Sequence, residues 1–409
     1  MNLLFAWRYF KAKKSANAIN IIAWVTVSVI AVATACQVLV LSVFNGFESL
    51  VKSLYASFYT DLKITPTKGK TFVLTTDQLK LIKQQPGINA VSLIVEEKAL
   101  LENDDQQTIV ILKGVDDNYI HVSGVASKII SGKFNIGNVN EPGLIVGSGI
   151  QSAISINVDG ISGQRSLLAI ILPKKEVVAN GDPLQSLSEG NVKATGVFSI
   201  QQDFDNKYAI TNIDFLKQQM GLSTNEYSAV EIKLNNPANL PTIQQKLSDL
   251  LGTNYVIQSK YQQNISLYRT MKLEKWFIYI VLTLILIIAA FNMVSSLTML
   301  VLEKQKDIGI LQSMGADKNR IINIFLIEGI LLGTIGASIG VVLSAIICVI
   351  QLKYKLIKLE GGSFLIDYFP VKMEVADFLL VATTIGIIVF LASWFPARKA
   401  ANSPILFID

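Results

Sequence analysis

Side chains that commonly carry out chemistry are scarce in this sequence. His121 is the only histidine, so we expect neither a histidine-rich metal site nor a Ser-His-Asp triad. Both cysteines, Cys36 and Cys348, fall inside long apolar runs, and no cysteine pair is available to hold a metal. Gly69 to Thr71 reads GKT, like the end of a phosphate-binding P-loop, but that loop needs a glycine where Ile64 stands. The sequence therefore predicts no catalytic residue, no metal site and no cofactor in this chain.

A short charged stretch, EKQKDIGILQSMGADKNR from Glu303 to Arg320, lies between two apolar runs that are long enough to cross a bilayer. Its apolar residues recur at helical spacing, polar residues lie between them, and Gly315 offers a helix stop. These features predict a short amphipathic helix at the membrane surface. Its apolar face is expected to consist of Ile308, Ile310, Leu311 and Met314. Two interpretations stay open: a helix that only lies at the membrane interface, or a docking helix that inserts into a groove of a separate motor protein.

The composition indicates a membrane protein. Of the 409 residues, 51% are apolar and only 16% are charged, whereas soluble proteins carry about 25% charged residues. Four segments without any charge are long enough for a ~30 Å hydrocarbon core at ~1.5 Å per residue. They are Ser15 to Phe47, Trp276 to Leu302, Gly329 to Leu352 and Phe378 to Ala397. We expect four transmembrane helices, with one large extramembrane domain of roughly 230 residues between the first and the second.

The orientation must come from charge. The N-terminal tail carries Arg8, Lys11, Lys13 and Lys14 and no acidic residue. Basic residues beside the first span favour the cytoplasmic side, and the first span usually sets the orientation. We therefore expect both termini and the stretch from Glu303 to Arg320 in the cytoplasm, with the large domain outside. Basic residues weigh against this orientation, both beside the second span and between the last two spans: Arg269, Lys272, Lys275, Lys353, Lys355, Lys358 and Lys372. The net charge of +5 says nothing about nucleic acid, and we expect no nucleic-acid partner.

Patterns in the large domain predict two parts of different character. A strand, helix, strand order occurs at its beginning, where Thr75, with Gln78 three residues on, opens a helix at Thr76 to Gln85. The same order returns at its end around a helix at Leu240 to Leu251. Both ends are expected to build one α/β part, about residues 59–106 and 211–260. Residues 107–210 are rich in strand patterns and glycine, and we expect a β-rich part there.

Three pieces of the sequence resemble one family. The segment EKQKDIGILQSMGADKNRIINIFLIEGILLG resembles the region after the second helix of FtsX-like and MacB-type ABC transporter permeases, most closely the lipoprotein-releasing LolC/LolE family. Arg8 to Glu48 is similar to the start of these proteins and includes their Asn45-Gly46-Phe47-Glu48 signature. Phe395 to Pro404, FPARKAANSP, resembles their ending. The topology of one span, a large outer domain and three further spans matches along the whole chain.

The resemblance implies a permease subunit that extracts lipoproteins from the inner membrane and passes them to the periplasmic chaperone LolA. ATP and Mg would be bound by a separate LolD-like ATPase, so this chain would not be an enzyme. A second permease chain, a paralogue or a copy, would complete the transporter, and lipoproteins and membrane lipids are the other expected partners. The implied fold is an α-helical membrane protein with four transmembrane helices. A large periplasmic domain, with an α/β Porter-like part and a β-rich Sabre-like part, would be inserted between helices 1 and 2.

Three sets of residues would carry the roles that the resemblance implies. The amphipathic helix would couple to the ATPase through Glu303, Lys306, Ile308, Ile310, Leu311, Met314 and Gly315. A hairpin loop bracketed by prolines would be a hook that binds LolA, through Pro173, Lys174, Lys175, Val177, Val178, Pro183 and Leu184. Apolar walls on the first two membrane helices would hold acyl chains, at Val32, Leu39, Val40, Val43, Phe44, Ile280 and Met293.

The resemblance and the patterns together give a set of expected boundaries. In order, these are a cytoplasmic amphipathic segment 1–18, the first span 19–47, the periplasmic domain 48–275, the second span 276–302, the coupling helix and loop 303–320, the third span 321–352, a periplasmic loop 353–375, the fourth span 376–397 and a cytoplasmic tail 398–409. Helical patterns just outside the first two spans also predict stalks at Glu48 to Tyr59 and Tyr261 to Lys275.

Two other functions stay open within the same superfamily. One is a MacB-type efflux or mechanotransmission permease, and the other is an FtsX-like regulator of cell-wall hydrolysis. We expect no fused ATPase, which disfavours the first, and the outer domain is larger than a regulator needs. The sequence does not sort into a LolC or a LolE role.

Overall fold

The computed structural model describes residues 17–158, 166–175, 186–359 and 368–401, with only the backbone given for residues 17–20. The chain forms two compact units, which divide near residues 50 and 268. Most of the predicted N-terminal segment and residues 402–409 of the predicted tail lie outside the described residues.

The described elements alternate between strands and short helices in the middle of the chain and are helical at both ends. The helices are α1 (Asn17–Phe58), α2 (Thr76–Lys83), α3 (Tyr119–Val122), α4 (Ser148–Ala153), α5 (Gln202–Asp205), α6 (Ile213–Met220), α7 (Leu240–Leu251), α8 (Lys260–Gln263), α9 (Ile265–Glu303), α10 (Gln305–Ser313), α11 (Lys318–Tyr354) and α12 (Val375–Ala401). The strands are β1 (Leu62–Pro66), β2 (Phe72–Val73), β3 (Ile88–Asn103), β4 (Gln106–Val115), β5 (Ile129–Gly132), β6 (Gly143–Gly147), β7 (Leu167–Pro173), β8 (Leu187–Phe198), β9 (Tyr208–Asn212), β10 (Glu226–Tyr227), β11 (Ala229–Leu234) and β12 (Tyr255–Ser259).

Four long apolar helices run through the first unit. Helices α1, α9, α11 and α12 are each long and apolar enough to cross a membrane, which confirms the four predicted spans. Helix α1 has 42 residues and α9 has 39. At ~1.5 Å per residue each is roughly twice as long as the ~30 Å hydrocarbon core is thick. Both helices therefore continue well beyond the apolar stretch that the bilayer requires.

Glycines on α11 let two neighbouring helices approach closely. A Cβ on Gly340 would collide with the carbonyl oxygen of Ala31 on α1, and a Cβ on Gly333 would collide with Val389 on α12. Small residues of this kind are typical of helix contacts in membranes, where close packing of backbones drives association. The interior of this bundle includes buried residues from all four long helices, such as Val27, Met293, Leu332 and Ile385.

The second unit is built on a ten-stranded sheet. At one end the strand order is β12-β1-β11-β3, and each neighbouring pair is antiparallel. Helices α2 and α7 pack on this end, and their residues Ile82 and Leu247 are fully buried in its core. Helix α2 begins with a capping box, in which Thr75 and Gln78 each accept the other's backbone N–H. Strands from both ends of the unit thus meet in one α/β half.

Six strands of the same sheet close into a ring. Strand β3 pairs with β4, β4 with β9, β9 with β6, β6 with β8, β8 with β7, and β7 with β3 again. Strand β3 takes part in both halves, because Ala90 to Ile94 pairs with β11 while Leu100 to Glu102 pairs with β7. Strand β3 is therefore one continuous strand that the α/β half and the six-stranded ring share. The division into Porter-like and Sabre-like parts, with its boundary at residue 106, stays a prediction.

Candidate functional site

Helix α10 is the short helix between the second and third membrane helices, but its apolar residues do not share one face. Ile308 is 3% exposed and packs in a buried cluster with Ile321 and Phe325. Ile310 is 60% exposed and Met314 is 79% exposed. Positions 308 and 310 lie about 200° apart around a helix of ~3.6 residues per turn, so their side chains point in opposite directions. The prediction that Ile308 belongs to the docking face is therefore wrong, and the exposed ridge consists of Ile310 and Met314.

Gly315 ends this helix, as the sequence predicted. Its φ is +86°, in the left-handed region that glycine adopts without a steric cost. The N–H of Gly315 donates to the carbonyl oxygen of Gln312 at 2.9 Å, and the N–H of Ala316 donates to that of Leu311 at 3.0 Å. This is the Schellman pattern, which satisfies the last carbonyls of a helix. Leu311 is half-buried. The other predicted coupling residues are exposed, namely Glu303 and Lys306.

The two strands that lead into the predicted hook lie in the described residues. Strands β7 and β8 pair antiparallel as far as Pro173 and Leu187. The pairing continues for one more step, because the N–H of Lys174 donates to the carbonyl oxygen of Ser186 at 2.8 Å. The remaining hook residues lie outside the described residues: Val177, Val178, Pro183 and Leu184. The two paired strands of the predicted hairpin are therefore present, and the role of the residues between them stays a prediction.

Lys175 fastens the base of the predicted hook to two other elements. Its N–H donates to the carbonyl oxygen of Met220, at the end of α6, at 2.9 Å. Its Nζ lies 2.6 and 2.8 Å from the two carboxylate oxygens of Glu226 on β10. The Glu226 side chain is only 3% exposed and also accepts a 2.5 Å hydrogen bond from the hydroxyl of Thr71. We call the pair of Lys175 and Glu226 the root anchor.

The charge state of Glu226 is set by the root anchor. Burial alone would raise the pKa of Glu226, but the hydrogen bonds from Lys175 and Thr71 outweigh burial and lower that pKa. The carboxylate is therefore ionised at neutral pH although it is buried. Sequence reasoning missed Glu226 because 51 residues separate it from Lys175, and no local pattern joins the two positions.

The predicted acyl-chain residues have unequal surroundings. Val32 is 59%, Val40 is 39% and Ile280 is 54% exposed, and three others are half-buried: Leu39, Val43 and Phe44. Met293 has no exposed area and lies inside the helix bundle. The prediction for Met293 is therefore wrong, because a side chain packed inside its own bundle offers no wall to an acyl chain. Exposed positions on α1 recur every four residues and form what we call the α1 stripe: Trp24, Ser28, Val32, Cys36 and Val40.

A buried charge cluster lies at the end of α1 in the second unit. The Nζ of Lys113 is 2.6 Å from a carboxylate oxygen of Glu231 and 3.5 Å from one of Glu96, and Lys63 reaches Glu96 at 3.1 Å. Burial would raise the pKa of Glu96, but the charges of Lys63 and Lys113 lower it to about 2. The Lys113 ammonium also lies 5.0 Å from the ring centre of Phe58, the last residue of α1. The end of this long helix is therefore packed firmly on the sheet.

Comparison with known proteins gives matches along nearly the whole chain. The model of the MacB-like periplasmic core domain matches residues 23–250, and that of the FtsX-like permease C-terminal domain matches residues 279–405. A lipoprotein-releasing system transmembrane protein, LolC of Neisseria meningitidis, is 27% identical over 98% of this chain and 97% of its own length. LolE of Haemophilus influenzae is 27% identical over 97% and 96%. This chain belongs to the LolC/LolE family of FtsX-like and MacB-like permeases.

As a LolC/LolE family permease, the chain is a multi-pass protein of the inner membrane with a periplasmic domain. The MacB-like model covers most of the second unit, so this unit is the periplasmic domain. The periplasmic region of MacB from Actinobacillus actinomycetemcomitans aligns at 11% identity with a TM-score of 0.36, over 54% of this chain and 98% of that region. That score is low, and membership of the family rests on the sequence matches.

Proposed function

We propose that this chain is the permease subunit of an ABC transporter that extracts lipoproteins from the inner membrane and passes them to the periplasmic chaperone LolA. The observation that carries the proposal is the match along nearly the whole chain to LolC and LolE, which are lipoprotein-releasing system proteins of other bacteria. A separate LolD-like ATPase binds ATP and Mg and hydrolyses the ATP. The second permease chain is a paralogue or a copy of this one.

In this proposal both termini and α10 lie in the cytoplasm, where the ATPase binds. The exposed ridge of Ile310 and Met314 fits an apolar groove, and the charged residues around it orient the contact. Ile308 joins α10 to the interior of the bundle through its contacts with Ile321 and Phe325. Because α10 is packed against the bundle, a displacement of the ridge also moves the membrane helices.

Lipoprotein extraction requires work, and the long helices are suited to transmit it. Removing acyl chains from a membrane costs ~0.8 kcal/mol per CH₂, hence on the order of tens of kcal/mol for a molecule with two or three chains. Helices α1 and α9 are continuous over 42 and 39 residues and act as the predicted stalks. The α1 stripe supplies an apolar surface along which an acyl chain can bind.

Replacing residues 176–185 by a short Gly/Ser turn tests the chaperone step. The replacement keeps Pro173 to Lys175 and with them the root anchor, so we expect the periplasmic domain to fold. In liposomes that contain the full complex, ATP hydrolysis should continue, while LolA binding and lipoprotein release should be lost. Pull-down with LolA and the release of labelled lipoprotein measure the two steps separately.

A matched control replaces the exposed loop residues 138–141 by the same kind of turn, and this variant should bind LolA normally. Undiminished LolA binding by the 176–185 variant would contradict the chaperone step. That outcome would favour the second candidate function, a MacB-type permease, since the MacB-like periplasmic core domain also matches this chain.

A further inference from the structure

The Asn-Gly-Phe signature of α1 packs against the segment that leads into α12. A Cβ on Gly46 would collide with the carbonyl oxygen of Pro370 and would lie 2.7 Å from the nitrogen of Val371. The ring of Phe47 meets Phe369 edge to face, with 5.7 Å between the ring centres. Only glycine allows this approach, because any larger residue at position 46 must push the two backbones apart. The signature therefore marks a tight contact between two segments that are more than 300 residues apart in sequence.

One carboxylate, that of Asp377 on α12, joins three of the long helices at this contact. The side-chain amide of Asn45 on α1 donates to Oδ2 of Asp377 at 2.5 Å. The Nζ of Lys275 on α9 lies 3.0 Å from Oδ1 and 3.1 Å from Oδ2 of the same carboxylate. Asn45 is 2% exposed and Asp377 is 8% exposed. We call these three residues the outer joint.

The outer joint is electrically balanced and strongly bonded. A second pair lies beside it, in which Lys372 is 3.0 Å from Glu374, and Lys275 is also 3.9 Å from Glu374. Hydrogen bonds between ionised partners are stronger than neutral ones. Removing Lys275 is costly, because the buried carboxylate of Asp377 then loses its cation. Loss of the Asp377 charge therefore affects α1, α9 and α12 together.

We propose that Asp377 is a positioning residue that holds α1 and α9 to α12, so that movement of the membrane helices reaches the periplasmic domain. Among the described elements, α1 and α9 are the two that belong to both units of the chain. If their ends in the bundle are tied together, a shift of one displaces the other. If they are not tied, ATP hydrolysis proceeds without moving the periplasmic domain. This role rests on the proposed function, and it gives the Asn-Gly-Phe signature a physical purpose.

The first test measures coupling in liposomes that contain the full complex. In the variants Asp377→Asn and Lys275→Gln we expect ATP hydrolysis to persist, while the ATP consumed per lipoprotein released rises about tenfold, since each variant removes the ion pair between α9 and α12. Lys372→Gln is the matched control, because it removes a charge from the neighbouring pair without touching Asp377, and its ratio should stay normal. The exchange Lys275→Asp with Asp377→Lys restores opposite charges and should recover part of the coupling. A normal ratio in Asp377→Asn would overturn the proposal.

The second test needs no lipoprotein, and it separates failure of the outer joint from failure of the proposed function. Spin labels at the exposed positions Val40 and Phe277, in a full-length chain without Cys36 and Cys348, report the distance between α1 and α9. Asp377→Asn should broaden the distance distribution, and Lys372→Gln should leave it unchanged. Broadening without any lipoprotein release by the unmodified complex would retain the joint and reject the function. An unchanged distribution in Asp377→Asn would reject the joint.

Discussion

Ile310 and Met314 are large apolar side chains that the fold leaves exposed at one end of the helix bundle. If an ATPase groove covers them, Ile310→Asp or Met314→Asp would bury a carboxylate without a partner, which costs several kcal/mol. We expect either variant to insert normally and to lose substrate-stimulated ATP hydrolysis and lipoprotein release by about tenfold or more. Both rates are measured on the complex in liposomes.

Two variants on α10 act as controls for this prediction. Ser313→Asp places the same charge on an exposed position of the same helix and should keep both rates. Ile308→Ala should instead lower the stability of the bundle by roughly 2–5 kcal/mol, because it leaves a cavity among buried residues, and should spare docking in the folded fraction. Unchanged ATP hydrolysis and release in Ile310→Asp would mean that the ridge is not the docking surface.

At the scale of elements, the root anchor joins the base of the β7 and β8 hairpin to β10. The variant Lys175→Gln leaves the buried carboxylate of Glu226 without its cation. We therefore expect a lower melting temperature at about pH 7 and weaker LolA binding, with a smaller stability loss near pH 4. The sign follows from the lowered pKa of Glu226. The stabilisation that the ion pair provides is present above the ordinary range of a glutamate pKa and is lost as the pH falls through the lowered value.

Melting curves of the full-length chain at the two pH values check this prediction, and LolA pull-down checks the effect on the hook. Lys70→Gln is the matched control, because Lys70 also pairs with a glutamate, Glu97, at 2.8 Å but is 77% exposed. Such an exposed pair contributes little. An equal stability loss at both pH values in Lys175→Gln would show that the side chain acts through packing and not through its charge.

The elements that the sequence predicted correctly are those whose signals are local. Long uncharged runs indicate the four spans, and the capping box at Thr75 and the stop at Gly315 are adjacent to the helix ends that they determine. The features that it did not predict depend on distant contacts. The direction of Ile308 is set by packing against α11, and the root anchor joins residues 51 positions apart. The double pairing of β3 likewise requires partners from both halves of the sheet.

The whole transporter needs a route by which an acyl chain leaves the bilayer, and the α1 stripe offers a surface for it. Its fourth position is Cys36, an exposed native cysteine, whereas the other cysteine, Cys348, is buried. A thiol-reactive photocrosslinker should therefore label Cys36 selectively. On illumination we expect it to capture lipoprotein in the assembled complex, and mass spectrometry of the adduct identifies the captured chain.

The control for this route moves the thiol to another helix. In a Cys36→Ser background, Val342→Cys places it on α11, where the native side chain is 57% exposed, and this variant should capture phospholipid only. Both sites are apolar and accessible from lipid. A difference in what the two thiols capture therefore reflects which helix carries the thiol. Capture of phospholipid alone at Cys36, or equal capture of lipoprotein at both sites, would show that the α1 stripe only faces the bilayer. Preferential capture of lipoprotein at Cys36, enhanced by ATP, would place the substrate on the helix that also carries the outer joint.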